Sequence, residues 1–78
     1  MYAFSTRDNI LTGRLALERW NIPDAEASFT KAVSRNANDP TANLWLGQTL
    51  MLKGAPMSEW SPRVLKALDG RSGLSADN

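Results

Sequence analysis

The chain reads as an all-α fold, two antiparallel helix–turn–helix hairpins stacked as a short α-solenoid. Three observations predict it. Gly13 and Gly47 stand in similar surroundings (Ile10-Leu11-Thr12 before the first, Leu44-Trp45-Leu46 before the second), and Trp20-Asn21 and Gly54-Ala55 stand at the same offset. That offset, about 34 residues, is the length of a helical hairpin that stacks on its own copy. Helix start and stop residues punctuate the chain at intervals. Apolar/polar alternation never persists, and the Ala- and Leu-rich composition favours helix over strand.

The first helix is expected over Thr6–Arg19. Ser5 caps it, and Asp8 three residues later completes a Ser-x-x-Asp capping box. Ile10, Ala3 and the Leu11/Leu15 pair are its expected apolar face, widened by Leu17 and Ala16, and Trp20 ends the segment. The second helix starts behind Asn21 as N-cap. Pro23 falls in the first turn, where no N–H is needed, and Asp24 lies near the positive helix end. Ala25, Phe29, Ala32 and Val33 then fall at i, i+4, i+7 and i+8 as one stripe, with Glu26, Lys31 and Arg35 turned away.

Asp39-Pro40 opens the third helix, which runs to Lys53 and stops at Gly54 in the left-handed conformation. Leu46 and Leu50 flank Gly47, while Leu44, Trp45, Met51 and Leu52 occupy other faces. A helix apolar nearly all round needs cover beyond its own hairpin partner. The fourth helix is expected to follow a loop at Ala55-Pro56-Met57, capped by Ser58 or Ser61, with Pro62 in or near its first turn. Trp60, Val64, Ala67 and Leu68 give its stripe, and Gly70 its end. The resulting division is an extension over residues 1–5, one domain over 6–69 (repeats 6–37 and 38–69), and a flexible tail over 70–78.

Seventy-eight residues make one small domain. A core of this size supplies about 3–5 kcal/mol of net stability without a staple. With no cysteine or histidine, neither a disulfide nor a zinc site is that staple, and no metal or other cofactor is expected. Regular helix packing or burial against another chain remains. Nine basic and eight acidic residues are interleaved, giving a net charge of +1. The basic stripe of a nucleic-acid binder is absent from that pattern. The longest apolar run, Leu50-Met51-Leu52, is too short to span a bilayer. The N-terminal residues have neither the charged start nor the apolar stretch of a signal peptide. The cytoplasm is the expected location, the periplasm the alternative where a signal has been removed.

On these residues the chain resembles the tetratricopeptide-repeat family, over about residues 6–69. The second helix matches the family's Ala-x-x-x-Phe-x-x-Ala with Ala25, Phe29 and Ala32. The third supplies Leu46-Gly47, with Leu50 where the family usually has Tyr; the first supplies Gly13, preceded by Thr12. Small residues in that pattern let helices approach, and the large one fills the gap between them. Ala37 departs from the usual inter-repeat Pro. In the fourth helix Trp60, Val64 and Ala67 match Ala25, Phe29 and Ala32 at a spacing one longer than that of the glycines, which implies one extra residue around Ala55 to Ser58. Trp60, much larger than the Ala it replaces, is expected to splay or reshape the second hairpin. The polar clamp that some family members use on a peptide carboxylate is not matched, since Ile10, Arg14 and Trp45 occupy that region.

The resemblance implies a non-enzymatic module, of adaptor, assembly-factor or chaperone type, that binds another protein through a groove. Leu44, Trp45, Met51 and Leu52 are the expected contact residues, with Arg14 and Lys53 orienting the partner at the rim. The alternative is a permanent structural subunit of a larger complex or a homo-oligomer. Catalysis is not expected: His and Cys are missing, acids are scattered, and Gly13-Arg14 lies inside a helix rather than in a phosphate-binding loop. No small-molecule substrate is indicated.

Overall fold

The computed structural model describes the backbone of residues 5–75 and the side chains of residues 5–69. Four helices follow one another: α1 (Thr6–Glu18), α2 (Ile22–Arg35), α3 (Pro40–Lys53) and α4 (Met57–Ser75), with no strand among the described residues. α1 pairs with α2 and α3 with α4 as two hairpins. α2 then lies against α3, and α1 touches α3 more lightly. The all-α class and the hairpins are as expected.

Three of the four helix starts follow from their caps. The Ser5 hydroxyl accepts from the Asp8 N–H at 3.2 Å, and the Asp8 carboxylate accepts from the Ser5 N–H at 3.2 Å. Asn21 accepts from the Asp24 N–H at 3.3 Å, and Asp39 from Thr41 at 2.9 Å and Ala42 at 3.1 Å. Each such cap is worth about 1 kcal/mol.

The two hairpin turns begin as copies. The N–H groups of Trp20 and Asn21 donate to the carbonyls of Leu17 and Ala16, each at 2.9 Å. One repeat further on, Gly54 and Ala55 donate to Met51 and Leu50 at 3.1 and 3.0 Å. Paired bonds of this kind close a helix around a left-handed residue, which is Trp20 (φ 56°) in the first turn and Gly54 (φ 90°) in the second. The turns then part. Asn21 leads directly into Ile22, whereas Pro56 intervenes between Ala55 and Met57, so the second helix of each hairpin is one residue out of step with the first. The extra residue thus lies within the expected segment.

The core consists of the α2 stripe Ala25, Phe29, Ala32 and Val33, with Ala42, Leu46 and Leu50 of α3 and Ala67 of α4. Complete burial of a ring such as that of Phe29 contributes about 1.5–3 kcal/mol. Gly13 is required by contact: a Cβ built there would lie 2.5 Å from the Phe29 ring. A Cβ on Gly47 would meet Val64 at 3.0 Å, Arg63 at 3.3 Å and the Trp60 carbonyl oxygen at 3.4 Å. The expected splaying by Trp60 is therefore absent at this point. Its indole is accommodated half-buried at the edge of the core, and the α4 backbone still lies close against α3.

Other expectations are corrected. Leu11 and Leu15 face outward; the inward side of α1 carries Asn9 and Gly13, with Ile10, Ala16 and Leu17 at its edges. A wide apolar surface on a 13-residue helix cannot all fit one neighbour, and Gly13 must face Phe29, which turns Leu11 and Leu15 away. α4 begins at Met57, so Ser58 and Ser61 lie inside it, and the Pro56 carbonyl instead accepts from the Glu59 N–H at 2.9 Å. Pro62 is interior to the helix and cannot donate to the Ser58 carbonyl. Leu68 is about half exposed rather than core. Glu26 is not simply turned away but pairs with Lys53 across the α2–α3 junction at 3.1 Å.

α4 also passes through Gly70 and continues to Ser75, where a tail was expected from residue 70. Extending an existing helix costs little per residue, and glycine weakens a helix by about 1 kcal/mol without ending it unless it turns left-handed. Residues 1–4 of the expected extension, Ala3 among them, lie outside the described residues, as does the remainder of the expected tail, residues 76–78.

Candidate partner-binding surface

The six residues expected to meet a partner divide into two groups. Trp45, Arg14 and Lys53 already have internal partners. The Trp45 ring stacks on Phe29, with centroids 5.8 Å apart and planes 15° from parallel. The Arg14 guanidinium carbon lies 5.2 Å from the Trp45 ring centroid, within cation–π range. Three elements are joined here, with Arg14 from α1, Phe29 from α2 and Trp45 from α3. Trp45 is half-buried, and its packing role comes before any contact it makes outside the chain. Lys53 remains half exposed despite its bridge to Glu26, so water screens much of that pair's attraction.

Leu44, Met51 and Leu52 form the second group. Leu44 and Met51 are two helical turns apart on α3 and share a face; Trp45 and Leu52 share the neighbouring one. Leu44 is half-buried, while Met51 and Leu52 are about half exposed. Exposed Gln48 lies one turn from all four, so the outer side of α3 is an apolar strip interrupted by one amide, with the Arg14–Trp45 contact at one edge and Lys53 at the helix end. The strip can offer hydrophobic contact and two cations. Among the described residues no group of three or more His, Cys, Asp or Glu is placed to hold a metal ion, and no helix is long and apolar enough to cross a membrane.

The repeat-packing residues all lie at helix–helix contacts or beside them. Gly13, Ala25, Phe29, Ala32, Leu46, Gly47, Leu50 and Ala67 are buried, and Trp60 and Val64 are half-buried. A second pair of equivalent positions was missed. Asn9 and Asn43, one repeat apart, are both buried, and each donates from Nδ2 to the carbonyl of its helix's N-cap residue, Ser5 at 3.2 Å and Asp39 at 2.9 Å. The signal was available, since the caps Ser5 and Asp39 are themselves separated by the same repeat. Asn43 does more than its counterpart. Its Nδ2 also donates to the Ala37 carbonyl at 3.0 Å, and its Oδ1 accepts from Arg63 Nη1 at 3.3 Å. It thereby links the inter-hairpin loop, α3 and α4 through one fully buried amide.

Two further apolar surfaces were not expected as such. Leu11 and Leu15 lie side by side on the outer face of α1. Met57, Leu65 and Leu68 follow one another at helical spacing along α4, each about half exposed or more. Trp20 stands out at the first hairpin turn, 75% exposed in a conformation that a bulky side chain rarely adopts. Compared with known proteins, the chain matches no protein-family model, no curated protein and no solved structure.

Proposed function

We propose that this chain is a small, non-enzymatic protein-interaction module of tetratricopeptide-repeat type, working as an adaptor, assembly factor or chaperone. The partner surface is the α3 strip of Leu44, Met51 and Leu52, with Arg14 and Lys53 at its edge. One observation carries the reading: Met51 and Leu52 are neighbouring large apolar side chains left half in water on a helix whose other sides are covered by α2 and α4. Large apolar side chains exposed together, here around Gln48 and flanked by cations, are a usual mark of a protein-binding face. The two stacked hairpins and the repeat register of their turns support the family type, and the lack of His and Cys supports a non-catalytic role.

The test is a comparison of affinities. A partner captured by a photo-cross-linking side chain placed at exposed position 48, beside Met51 and Leu52, is identified, purified on its own and titrated against wild type and against Met51→Glu/Leu52→Glu. Because both positions are exposed, far-UV circular dichroism should be unchanged. The expected loss is at least about tenfold in Kd, which corresponds to about 1.4 kcal/mol. Equal affinity for both proteins would remove the strip as the binding face. Trp45 is unsuited to this test, since its removal also takes away the Phe29 stack.

A second reading, a permanent structural subunit of a larger complex or a homo-oligomer, is favoured by the separate apolar faces on α1 and α4.

A further inference from the structure

The chain makes one join between hairpins, the seat of α2 on α3, and the repeat register shows what its other two ends would do at the same join. On α3 the side facing the preceding hairpin carries Trp45, stacked on Phe29, and Thr49, which has no exposure at all. The residues one repeat earlier are Leu11 and Leu15 on α1, where no preceding hairpin covers them, and they are 45% and 56% exposed. On α2 the side facing α3 includes Phe29 and Val33, and the hollow beside that join is lined by Thr30 and Val33 together with Leu46 and Leu50. Once the extra residue before α4 is counted, Leu65 and Leu68 on α4 are the counterparts of Thr30 and Val33, and they are 58% and 49% exposed. The outer face of α1 and the outer face of α4 are therefore the two halves of an interface that the molecule already forms once within itself.

We propose that a second copy of the chain covers these faces, α4 of one copy seating α1 of the next in the manner of α2 on α3. The side chains across the new join are exchanged rather than copied, and Leu46 and Leu50 have Thr12 and Ala16 as their counterparts. The aromatic pair Phe29 and Trp45 becomes the aliphatic pair Val64 and Leu11, while the threonine positions 30 and 49 become leucines 65 and 15. Leu11, Leu15 and Leu68 are solvent-exposed where the internal join covers Trp45, Thr49 and Val33, and Leu65 extends that apolar surface at the place of the exposed Thr30 beside the join. Such an interface is heterologous: it uses a different face on each copy and leaves one of each free at the ends, so association does not stop at a dimer unless a ring closes. Within the chain the loop from Asn36 to Asp39 holds α2 against α3. Between chains that effective concentration is lost, so the join is weak and shows itself as the concentration rises.

This proposal is independent of the α3 strip, since none of its four leucines belongs to it. The test uses sedimentation equilibrium of the full chain from about 10 μM to about 1 mM, the range in which weak association is read. Wild type is expected to rise in mass with concentration and to pass the dimer. Leu11→Arg/Leu15→Arg, which blocks the α1 face, and Leu65→Arg/Leu68→Arg, which blocks the α4 face, are each expected to stay monomeric alone. Mixed in equal amounts they have one intact face apiece, and are expected to form a dimer and nothing larger. A wild type that remains monomeric throughout overturns the proposal, whatever else covers the faces. A wild-type dimer that each variant still forms by itself also overturns it, because the contact would then be symmetric or elsewhere. Met51→Glu/Leu52→Glu is expected to associate as wild type does, so loss of partner binding and loss of self-association are read separately.

Discussion

The two hairpins share one backbone plan and are held together by different side chains. In the first, the Phe29 ring fills the space beside Gly13 and also stacks on Trp45 of the second hairpin. In the second, Val64 stands in the place of Phe29, and the Asn43–Arg63 contact ties α3 to α4 where the smaller side chain leaves less apolar grip. The turns contrast in the other direction. Trp20 holds a left-handed conformation against steric resistance, and Gly54 holds the same conformation without it. The repeat is thus kept within this molecule as a path of the backbone, while the contacts that fill it are exchanged between apolar and polar means.

The largest test of that contrast is at its centre. Phe29→Ala should cost about 3–5 kcal/mol, enough to leave a domain of this size mostly unfolded, whereas Val64→Ala at the equivalent, half-buried place should cost about 1–2 kcal/mol. Urea titration followed by circular dichroism measures both, and similar losses would show that the hairpins are held alike after all. The polar side should invert the ranking. Asn43→Ala strands the Ala37 carbonyl and the Arg63 guanidinium and should cost about 1–3 kcal/mol; Asn9→Ala, which loses one bond to Ser5, should cost about 0.5–1 kcal/mol. Thermal unfolding of the two variants side by side decides this, and a greater loss at Asn9 would contradict the role given to Asn43.

Smaller effects sharpen the same comparison at the glycines. At Gly13 an added methyl group must displace a buried ring, so Gly13→Ala should destabilise by about 1–2 kcal/mol even after the gain in helix propensity. At Gly47 an added methyl group would lie 3.0 Å from Val64 and 3.3 Å from Arg63, so these side chains must yield slightly, and the net cost after the gain in helix propensity should stay under about 1 kcal/mol. The turns give the least. Trp20→Gly should stabilise the chain by about 0.5–1 kcal/mol through release of left-handed strain, and Gly54→Ala should destabilise it by about 1 kcal/mol for the opposite reason. A Trp20→Gly variant that is less stable in urea would mean that the exposed indole makes a contact worth more than its strain.

Much of this architecture was legible because it depends on local chemistry. Ser5, Asn21, Asp39 and Gly54 mark helix boundaries by hydrogen bonds made within a few residues, and the Ala25–Phe29–Ala32–Val33 stripe has only one way to face a core. The extra residue before α4 was legible too, because a repeat supplies its own ruler. What could not be read was the facing of α1. Leu11 and Leu15 look like core residues to any periodicity argument, and only the packing of Gly13 on Phe29 decides that the other side turns inward. The start of α4 was misplaced for a related reason: Pro62 resembles a first-turn proline, yet the turn bonds of Gly54 and Ala55 bring the chain round early enough for the helix to begin at Met57. Among the expected contact residues, no local pattern separates an indole that reaches outward from one stacked on a ring in the next hairpin, and Trp45 is the second kind.

The surroundings of Trp45 give the junction between hairpins an optical signature. Its indole is stacked on an aromatic ring and lies under a guanidinium group, whereas Trp20 is mostly in water and Trp60 is half-buried at the edge of α4. Three tryptophans in three settings emit differently. A change in the angle between the hairpins would lift Arg14 or Phe29 from Trp45 and alter that one contribution, with the helices intact and the other two indoles undisturbed. The molecule carries its own gauge of how its halves are set, readable by fluorescence in any solution where it is bent, stretched or bound.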